Sequence, residues 1–110
     1  MIDAMARDSA LFTDLYQLKM LQAYRRERME GIAVFDLFVR RLPQRRGFLL
    51  AAGIEDALDY LEQLRFLPED IDYLAGLGDF SPEFVAALAD FRFTGAVRAV
   101  AEGTPVFPHQ

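Results

Sequence analysis

The segment Ile32–Val39 (IAVFDLFV) constrains the fold more than any other part of the sequence, because Asp36 is its only polar residue. Aromatic and β-branched side chains favour an extended backbone. Successive side chains of a strand point to opposite faces, so a strand that is apolar on both faces has to be covered on both. The sequence therefore predicts a central, buried β-strand over residues 32–39, with structure packed against each side.

Helical spacing and end signals predict four helices around this strand. The first begins at Asp14, whose spacing to Gln17 is that of a capping box, and it is ended by Gly31. Arginines near its end complement the helix dipole. Proline at a first helical position and serine as an N-cap mark two of the later starts. These later helices are predicted over Ile54–Leu64, Pro68–Leu77 and Ser81–Phe91.

Further strand signals lie before and after the later helices. Phe48–Ala52 is predicted to be a short buried strand or an extended entry to the next helix. Val97–Ala101 and Thr104–Phe107 flank a Glu-Gly turn, which predicts a β-hairpin. The order helix, strand, strand, three helices, hairpin indicates an α+β fold in which helices pack on a small, mostly antiparallel sheet. Residues 1–10 are predicted to be a flexible arm, and residues 11–110 one domain.

The composition excludes several classes of function. A net charge of −5 and a pI near 4.7 do not suit nucleic-acid binding, and no apolar run approaches the ~20 residues of a membrane span. The chain has no cysteine, and its single histidine, His109, cannot supply a His-rich metal site. The first seven residues lack the apolar region of a signal peptide, so a cytoplasmic location is expected.

The chain is rich in apolar residues for its length. Hydrophobic residues make up 53 % of its 110 residues. A chain of this size buries only roughly 60–70 % of the surface that its extended form exposes, so part of its surface stays exposed after folding. Some apolar surface is therefore expected to meet a partner or further chain. The isolated piece is expected to self-associate.

Four arginines cluster in the loop after the predicted strand, namely Arg40, Arg41, Arg45 and Arg46. Guanidinium forks bind phosphate and diphosphate groups through paired hydrogen bonds, so this loop is a candidate phosphate-binding element. The alternative is a solvated loop whose arginines pair with nearby acids. The residues alone favour that alternative, because surface arginine clusters are common.

The start of the first helix, TDLYQ, is a second candidate. Free N–H groups and the dipole favour an anionic ligand at a helix N-terminus, and Tyr16, in the first turn, has a ring that can stack on a flat ligand. The alternative is that Asp14 is only an N-cap and that Tyr16 belongs to the apolar face of the helix. The residues alone favour this alternative as well.

Several motifs, collinear along the chain, resemble those of the nicotinate phosphoribosyltransferases. They are Ala10–Leu18 (ALFTDLYQL), Phe35–Pro43 (FDLFVRRLP), Arg46–Glu55, Leu77–Phe84, Phe91–Gly95 and Glu102–Pro108 (EGTPVFP). A set of collinear motifs is far more specific than any one of them. The resemblance identifies the chain as the N-terminal α+β domain of a type II phosphoribosyltransferase.

The resemblance implies a reaction and its requirements. Such enzymes join nicotinate to 5-phosphoribosyl 1-diphosphate in NAD biosynthesis, giving nicotinate mononucleotide and diphosphate. They couple this step to ATP hydrolysis through a phosphorylated histidine, with Mg²⁺, and their active sites form at a homodimer interface. The α/β barrel and the phosphorylated histidine would lie beyond Gln110, so no catalytic residue is expected here and His109 is not that histidine.

The resemblance also implies a role for one residue of this chain. The tyrosine of the TDLYQ motif, here Tyr16, packs on the pyridine ring of nicotinate, and Asp14 of the same motif is a weaker substrate-binding candidate. The competing hypothesis is a free-standing α+β interaction module without catalytic activity.

Overall fold

The computed structural model describes residues 9–110, and these residues form four α-helices, one 3₁₀ helix and two short strands. The helices are α1 (Leu15–Arg26), α2 (Ile54–Gln63), α3 (Pro68–Leu77) and α4 (Pro82–Ala87), followed by the 3₁₀ helix Leu88–Asp90; the strands are β1 (Leu49–Leu50) and β2 (Pro105–Val106). The predicted α+β class is confirmed. Most of the predicted flexible arm, residues 1–8, lies outside the described residues.

The chain divides into two compact units. The helical unit comprises the chain up to Gly31 together with Tyr60–Thr94, and the strand unit comprises Ile32–Asp59 together with Gly95–Gln110. The division falls within α2. Each unit has its own packing and is described separately.

The helical unit contains every buried hydrophobic side chain of residues 9–110. Leu74 of α3, with only 1 % of its surface exposed, lies at the centre, and the cluster as a whole is Ala10, Leu18, Phe66, Leu74, Phe80, Phe84, Val85 and Leu88. The rings of Phe66 and Phe91 meet edge to face with centroids 5.5 Å apart, a favourable aromatic geometry. Apolar residues at helical spacing thus form one small core.

Both ends of α3 and the start of α4 lie where the sequence predicts them. Pro68 is the first residue of α3, which ends at Gly78 in a left-handed conformation with φ of 71° that costs glycine little. The hydroxyl of Ser81 accepts a hydrogen bond from the Phe84 N–H at 3.2 Å and caps α4. The last predicted helix is shorter than expected, because its final turn tightens into the 3₁₀ helix.

A buried carboxylate ties the beginning of the described chain to α3. Asp70 accepts hydrogen bonds from the Leu67 N–H at 2.9 Å and from the Ser9 hydroxyl at 3.5 Å. Tyr60 donates its hydroxyl to the Ser9 carbonyl at 3.4 Å. These bonds hold Ser9 beside Ala10, which belongs to the buried cluster.

Helix α1 ends at Arg26 and not near Gly31, so the predicted C-terminal boundary was wrong. The Met29 N–H donates to the Tyr24 carbonyl at 2.9 Å, and the Arg28 N–H donates to the Arg25 carbonyl at 3.1 Å. This pair of bonds is a Schellman motif, which satisfies the last carbonyls of a helix. Arg28, with φ of 53°, takes the left-handed position that glycine usually occupies, which is why the sequence signal was missed.

The sheet of the strand unit differs from the predicted hairpin. Strand β2 pairs antiparallel with β1, with Leu49 opposite Val106 and Leu50 opposite Pro105. The chain does turn at Glu102-Gly103, since the Thr104 N–H donates to the Ala101 carbonyl at 3.1 Å. Residues 97–101 are not in a strand. Ala51 pairs instead with the turn and the residue after it: its N–H donates to the Thr104 carbonyl at 2.9 Å, and its carbonyl accepts from the Gly103 N–H at 2.7 Å.

The central strand predicted over residues 32–39 was wrong, because this segment forms no strand and is largely exposed in the described structure. Ile32 is 98 % exposed, Val34 83 %, Phe35 90 % and Leu37 101 %. No described residue of the strand unit falls in the buried class. Aromatic and β-branched side chains favour an extended backbone, but a strand also needs neighbouring strands, and residues 9–110 supply none beside this segment.

Candidate functional site

The start of α1 is organised by the side chain of Gln17. Asp14 is the N-cap residue, and Asp14 and Gln17 form the predicted capping-box pair. The Asp14 N–H donates to Gln17 Oε1 at 3.2 Å, and the hydroxyl of Thr13 donates to the same oxygen. The first helical turn is thereby held in place by the motif's own polar residues.

Tyr16 lies in that first turn and is not part of the buried cluster. Its side chain is 59 % exposed, and it is absent from the core of the helical unit. Phe12 and Leu15 beside it in sequence are also exposed. Asp14 is therefore an N-cap, as one part of the alternative predicted. Tyr16 is not a core residue, so the other part was wrong.

The arginine loop contains a strained turn. The Arg46 N–H donates to the Pro43 carbonyl at 3.2 Å, and Arg45 within this turn has φ of 66°. The left-handed conformation costs a residue other than glycine about 1–2 kcal/mol, and such strain tends to gather at ligand-binding sites. The four guanidinium groups form no ion pair with an acid of residues 9–110, so the predicted pairing with nearby acids is not found there.

Glu102 lies in the predicted Glu-Gly turn, but its side chain also makes contacts that the sequence did not predict. Its carboxylate accepts hydrogen bonds from the Gly53 N–H at 2.7 Å and the Ile54 N–H at 2.8 Å. These two groups belong to the N-terminus of α2, which an anion stabilises. They hold the pKa of the Glu102 carboxyl below its ordinary value, the bond from Gly53 being the larger cause.

A separate cleft of about 650 Å³ lies in the helical unit, at the C-terminal half of α1. It is lined by Lys19, Gln22, Ala23, Arg25, Arg26, Arg28, Ser81, Glu83 and Phe84. Two of its cations are already paired, Lys19 with Asp79 at 3.2 Å and Arg26 with Glu27 at 3.0 Å. None of the site residues predicted from the sequence lines this cleft.

Among residues 9–110, no group of three or more His, Cys, Asp or Glu residues is placed to hold a metal ion. No helix in this range is long and apolar enough to cross a membrane.

Comparison with known proteins decides the family. The sequence model of the nicotinate phosphoribosyltransferase (NAPRTase) N-terminal domain matches residues 11–110. The chain belongs to the nicotinate phosphoribosyltransferase family. It corresponds to the N-terminal portion of these proteins.

Relatives from distant organisms share this NAPRTase domain. The chain is 54 % identical over 101 residues to nicotinate phosphoribosyltransferase pncB2 of Mycobacterium tuberculosis, a match that covers 92 % of this chain and 22 % of that protein. It is 38 % identical to the Bacillus subtilis enzyme, covering 92 % and 21 %, and 37 % identical to the human one, covering 96 % and 20 %. The chain thus spans about a fifth of the length of these relatives.

The Glu102 contact generates a prediction about pH. A carboxyl whose pKa is lowered on folding contributes stability above its unfolded pKa of about 4.3, and that contribution is lost as the pH falls through the folded value. We expect Glu102→Gln to lower the urea midpoint at pH 7, measured by far-ultraviolet circular dichroism, and the difference from wild type to shrink as the pH falls below about 4. Glu30→Gln, which removes a carboxylate outside the helices, is the control. Equal midpoints for Glu102→Gln and wild type at pH 7 would contradict this role.

Proposed function

We propose that the intact protein is a cytoplasmic, homodimeric nicotinate phosphoribosyltransferase. It would form nicotinate mononucleotide and diphosphate from nicotinate and 5-phosphoribosyl 1-diphosphate, coupled to ATP hydrolysis. The observation that carries the proposal is the 54 % identity with a relative of that name over nearly the whole chain. The first turn of α1 and the arginine loop are the parts of this chain that we assign to substrate binding.

Tyr16 is proposed to stack on the pyridine ring. Its exposed ring is free of the core, and aromatic pairs contribute about 0.5–1.5 kcal/mol beyond the burial of their surface. The N-terminus of α1 favours a negative charge such as the carboxylate of nicotinate. The tyrosine ring would thus contact the pyridine ring, and the helix N-terminus would contact the carboxylate.

Asp14 is proposed as a secondary contact in the same turn. Because its negative charge would repel the carboxylate of nicotinate, the ring would have to lie with its carboxylate at the N–H groups of the first turn and its nitrogen toward Asp14. The ring nitrogen becomes cationic as its bond to the ribose carbon forms and diphosphate leaves. A carboxylate near that nitrogen favours the charged product.

The arginine loop is proposed to bind phosphate groups of the phosphoribosyl donor. Each guanidinium can form two parallel hydrogen bonds to a phosphate. The left-handed Arg45 and the absence of acidic partners within residues 9–110 support this assignment. Mg²⁺ is also implied for the intact enzyme, and no group of three or more His, Cys, Asp or Glu residues within residues 9–110 is placed to hold it.

The proposed activity is tested by comparing two proteins. Full-length enzyme, incubated with nicotinate, 5-phosphoribosyl 1-diphosphate, ATP and Mg²⁺, should form nicotinate mononucleotide, whereas residues 1–110 alone should form none, because they lack a complete catalytic site. Chromatographic detection of the product distinguishes the two. A natural stop codon after residue 110, together with a soluble and monomeric 110-residue protein, would favour the interaction module instead. Product formation by residues 1–110 alone would show that the catalytic group had been overlooked.

The role of Tyr16 is tested in the full-length enzyme. Tyr16→Ala should raise the KM for nicotinate roughly tenfold, and Tyr16→Phe should change it little, because the phenyl ring preserves the stack. Neither should change the free energy of unfolding by more than about 0.5 kcal/mol, since the side chain is exposed. Tyr73→Ala is a matched control, because Tyr73 is also 59 % exposed. A destabilised Tyr16→Ala enzyme with an unchanged KM would instead assign Tyr16 to packing.

The arginine loop is tested by Arg→Lys substitution at positions 40, 41, 45 and 46 in turn. Lysine keeps the charge but loses the fork. Hydrogen bonds to charged groups contribute about 1.5–3 kcal/mol, so at least one substitution should raise the KM for 5-phosphoribosyl 1-diphosphate by about tenfold or more. Arg98→Lys, an exposed arginine of the strand unit outside the loop, serves as the control. Four unchanged KM values would leave the loop as a solvated connector.

A further inference from the structure

Ser9 lies at the start of the described chain, before the first helix, and its polar groups make four hydrogen bonds. We propose that Ser9 is a positioning residue for Tyr16, and that Asp70 of α3 holds Ser9 in place for this role. The inference rests on the proposed function and deepens it, because it assigns the residues that would hold the first turn of α1 ready for nicotinate. Its test includes a structural measurement that does not depend on activity.

Tyr16 belongs to a stretch of chain that has no side chain in the core. Residues 12–17 are all exposed, whereas Ala10 before them and Leu18 after them are buried. Helix ends fray readily where few buried contacts hold them. The position of the Tyr16 ring therefore depends on how the chain is fixed on each side, and on the N-terminal side it is fixed at Ser9 and Ala10.

Ser9 links the rest of the helical unit to the residues that lead into α1. Its hydroxyl donates to the Asp70 carboxylate at 3.5 Å, and its carbonyl accepts from the Tyr60 hydroxyl at 3.4 Å. The same hydroxyl accepts from the Leu11 N–H at 3.1 Å, and the same carbonyl accepts from the Phe12 N–H at 3.0 Å. Each polar group of Ser9 thus joins a residue distant in sequence to a residue just before the helix.

Short-range hydrogen bonds continue from Ser9 into the first turn of α1. The Thr13 N–H donates to the Leu11 carbonyl at 2.8 Å, and the Asp14 N–H donates to Gln17 Oε1 at 3.2 Å. The four consecutive N–H groups of residues 11–14 therefore all donate to acceptors between Ser9 and Gln17. Because each of these bonds spans only two or three residues, the conformation set at Ser9 is passed directly to the turn that carries Tyr16.

Asp70 does more than cap α3. A carboxylate that only caps a helix can remain in water, but Asp70 is 8 % exposed and is the one buried polar residue of residues 9–110. Its Oδ2 accepts from the Leu67 N–H at 2.9 Å, at the start of α3, and its Oδ1 accepts from the Ser9 hydroxyl. A buried acceptor that loses its partner is costly. Asp70 therefore favours a single position of Ser9.

Ser9→Ala removes the hydroxyl but leaves the bond between Asp70 and Leu67 in place. In the full-length enzyme, we expect it to raise the KM for nicotinate about three- to tenfold and to change kcat less than about twofold, because binding alone is weakened. Ser9→Thr keeps the hydroxyl and should restore the KM. Ser81→Ala, which removes the hydroxyl that caps α4, is the matched control and should leave the KM unchanged. An unchanged KM for Ser9→Ala, together with a raised KM for Tyr16→Ala, would overturn the positioning role and leave the proposed function intact.

A double-mutant cycle tests whether Ser9 acts through Tyr16. Where two residues act as one unit, their effects are not additive, so Ser9→Ala should not raise the KM for nicotinate further in an enzyme that already carries Tyr16→Ala. Independent effects would multiply, which would overturn the proposal. A role of Ser9 in general stability alone would lower the Tm without this coupling.

Amide hydrogen exchange separates this inference from the proposed function. The amides of residues 17–19, in the first turns of α1, should exchange about threefold or more faster in full-length Ser9→Ala than in wild type, and Ser81→Ala should leave them unchanged. Unchanged exchange in Ser9→Ala would overturn the inference. Faster exchange, with no change in KM for either Ser9→Ala or Tyr16→Ala, would overturn the proposed role of Tyr16 but support the hold of Ser9 on the first turn.

Discussion

Apolar side chains stabilise a fold only where other atoms cover them, and the two units of this chain meet that requirement to different degrees. In the helical unit, α3, α4 and the 3₁₀ helix enclose Leu74 and its neighbours, so periodic apolar residues become a core. In the strand unit, most side chains of the apolar segment of residues 32–39 are exposed. The difference follows from geometry, because a helix satisfies its own backbone whereas a strand depends on neighbours.

In the absence of buried side chains, polar contacts define the conformation of the strand unit. The Glu102 carboxylate bridges the backbone N–H groups that precede and begin α2. The same arrangement brings Gly103 and Thr104 beside Ala51, where β1 and β2 pair. Removing the carboxylate would leave N–H groups of the helix end without their partner, since the first turn of a helix has no internal acceptors for them.

The features predictable from sequence are those that depend on nearby residues. The first residue of α3, the glycine that ends it and the serine that caps α4 are each decided within a few positions, and all three were predicted correctly. The pairing of β2 with β1 joins residues 55 to 57 positions apart, and nothing local distinguished it from a hairpin. Arg28 shows a different limit of prediction from sequence. A search for glycine misses the end of α1, because Arg28 takes the left-handed conformation there.

The same distinction applies to the candidate site. Residue type and spacing identified the capped first turn around Tyr16 and the arginine loop, and the resemblance gave them roles, but Glu102 was missed because its partners are distant in sequence. The two candidate elements are each shaped by local bonds, through Gln17 in one and the turn at Arg45 in the other. The bonds that shape both elements lie within residues 9–110. If they bind substrates as proposed, a second surface should strengthen that binding, because exposed aromatic and guanidinium groups gain interaction energy when water is excluded from the ligand.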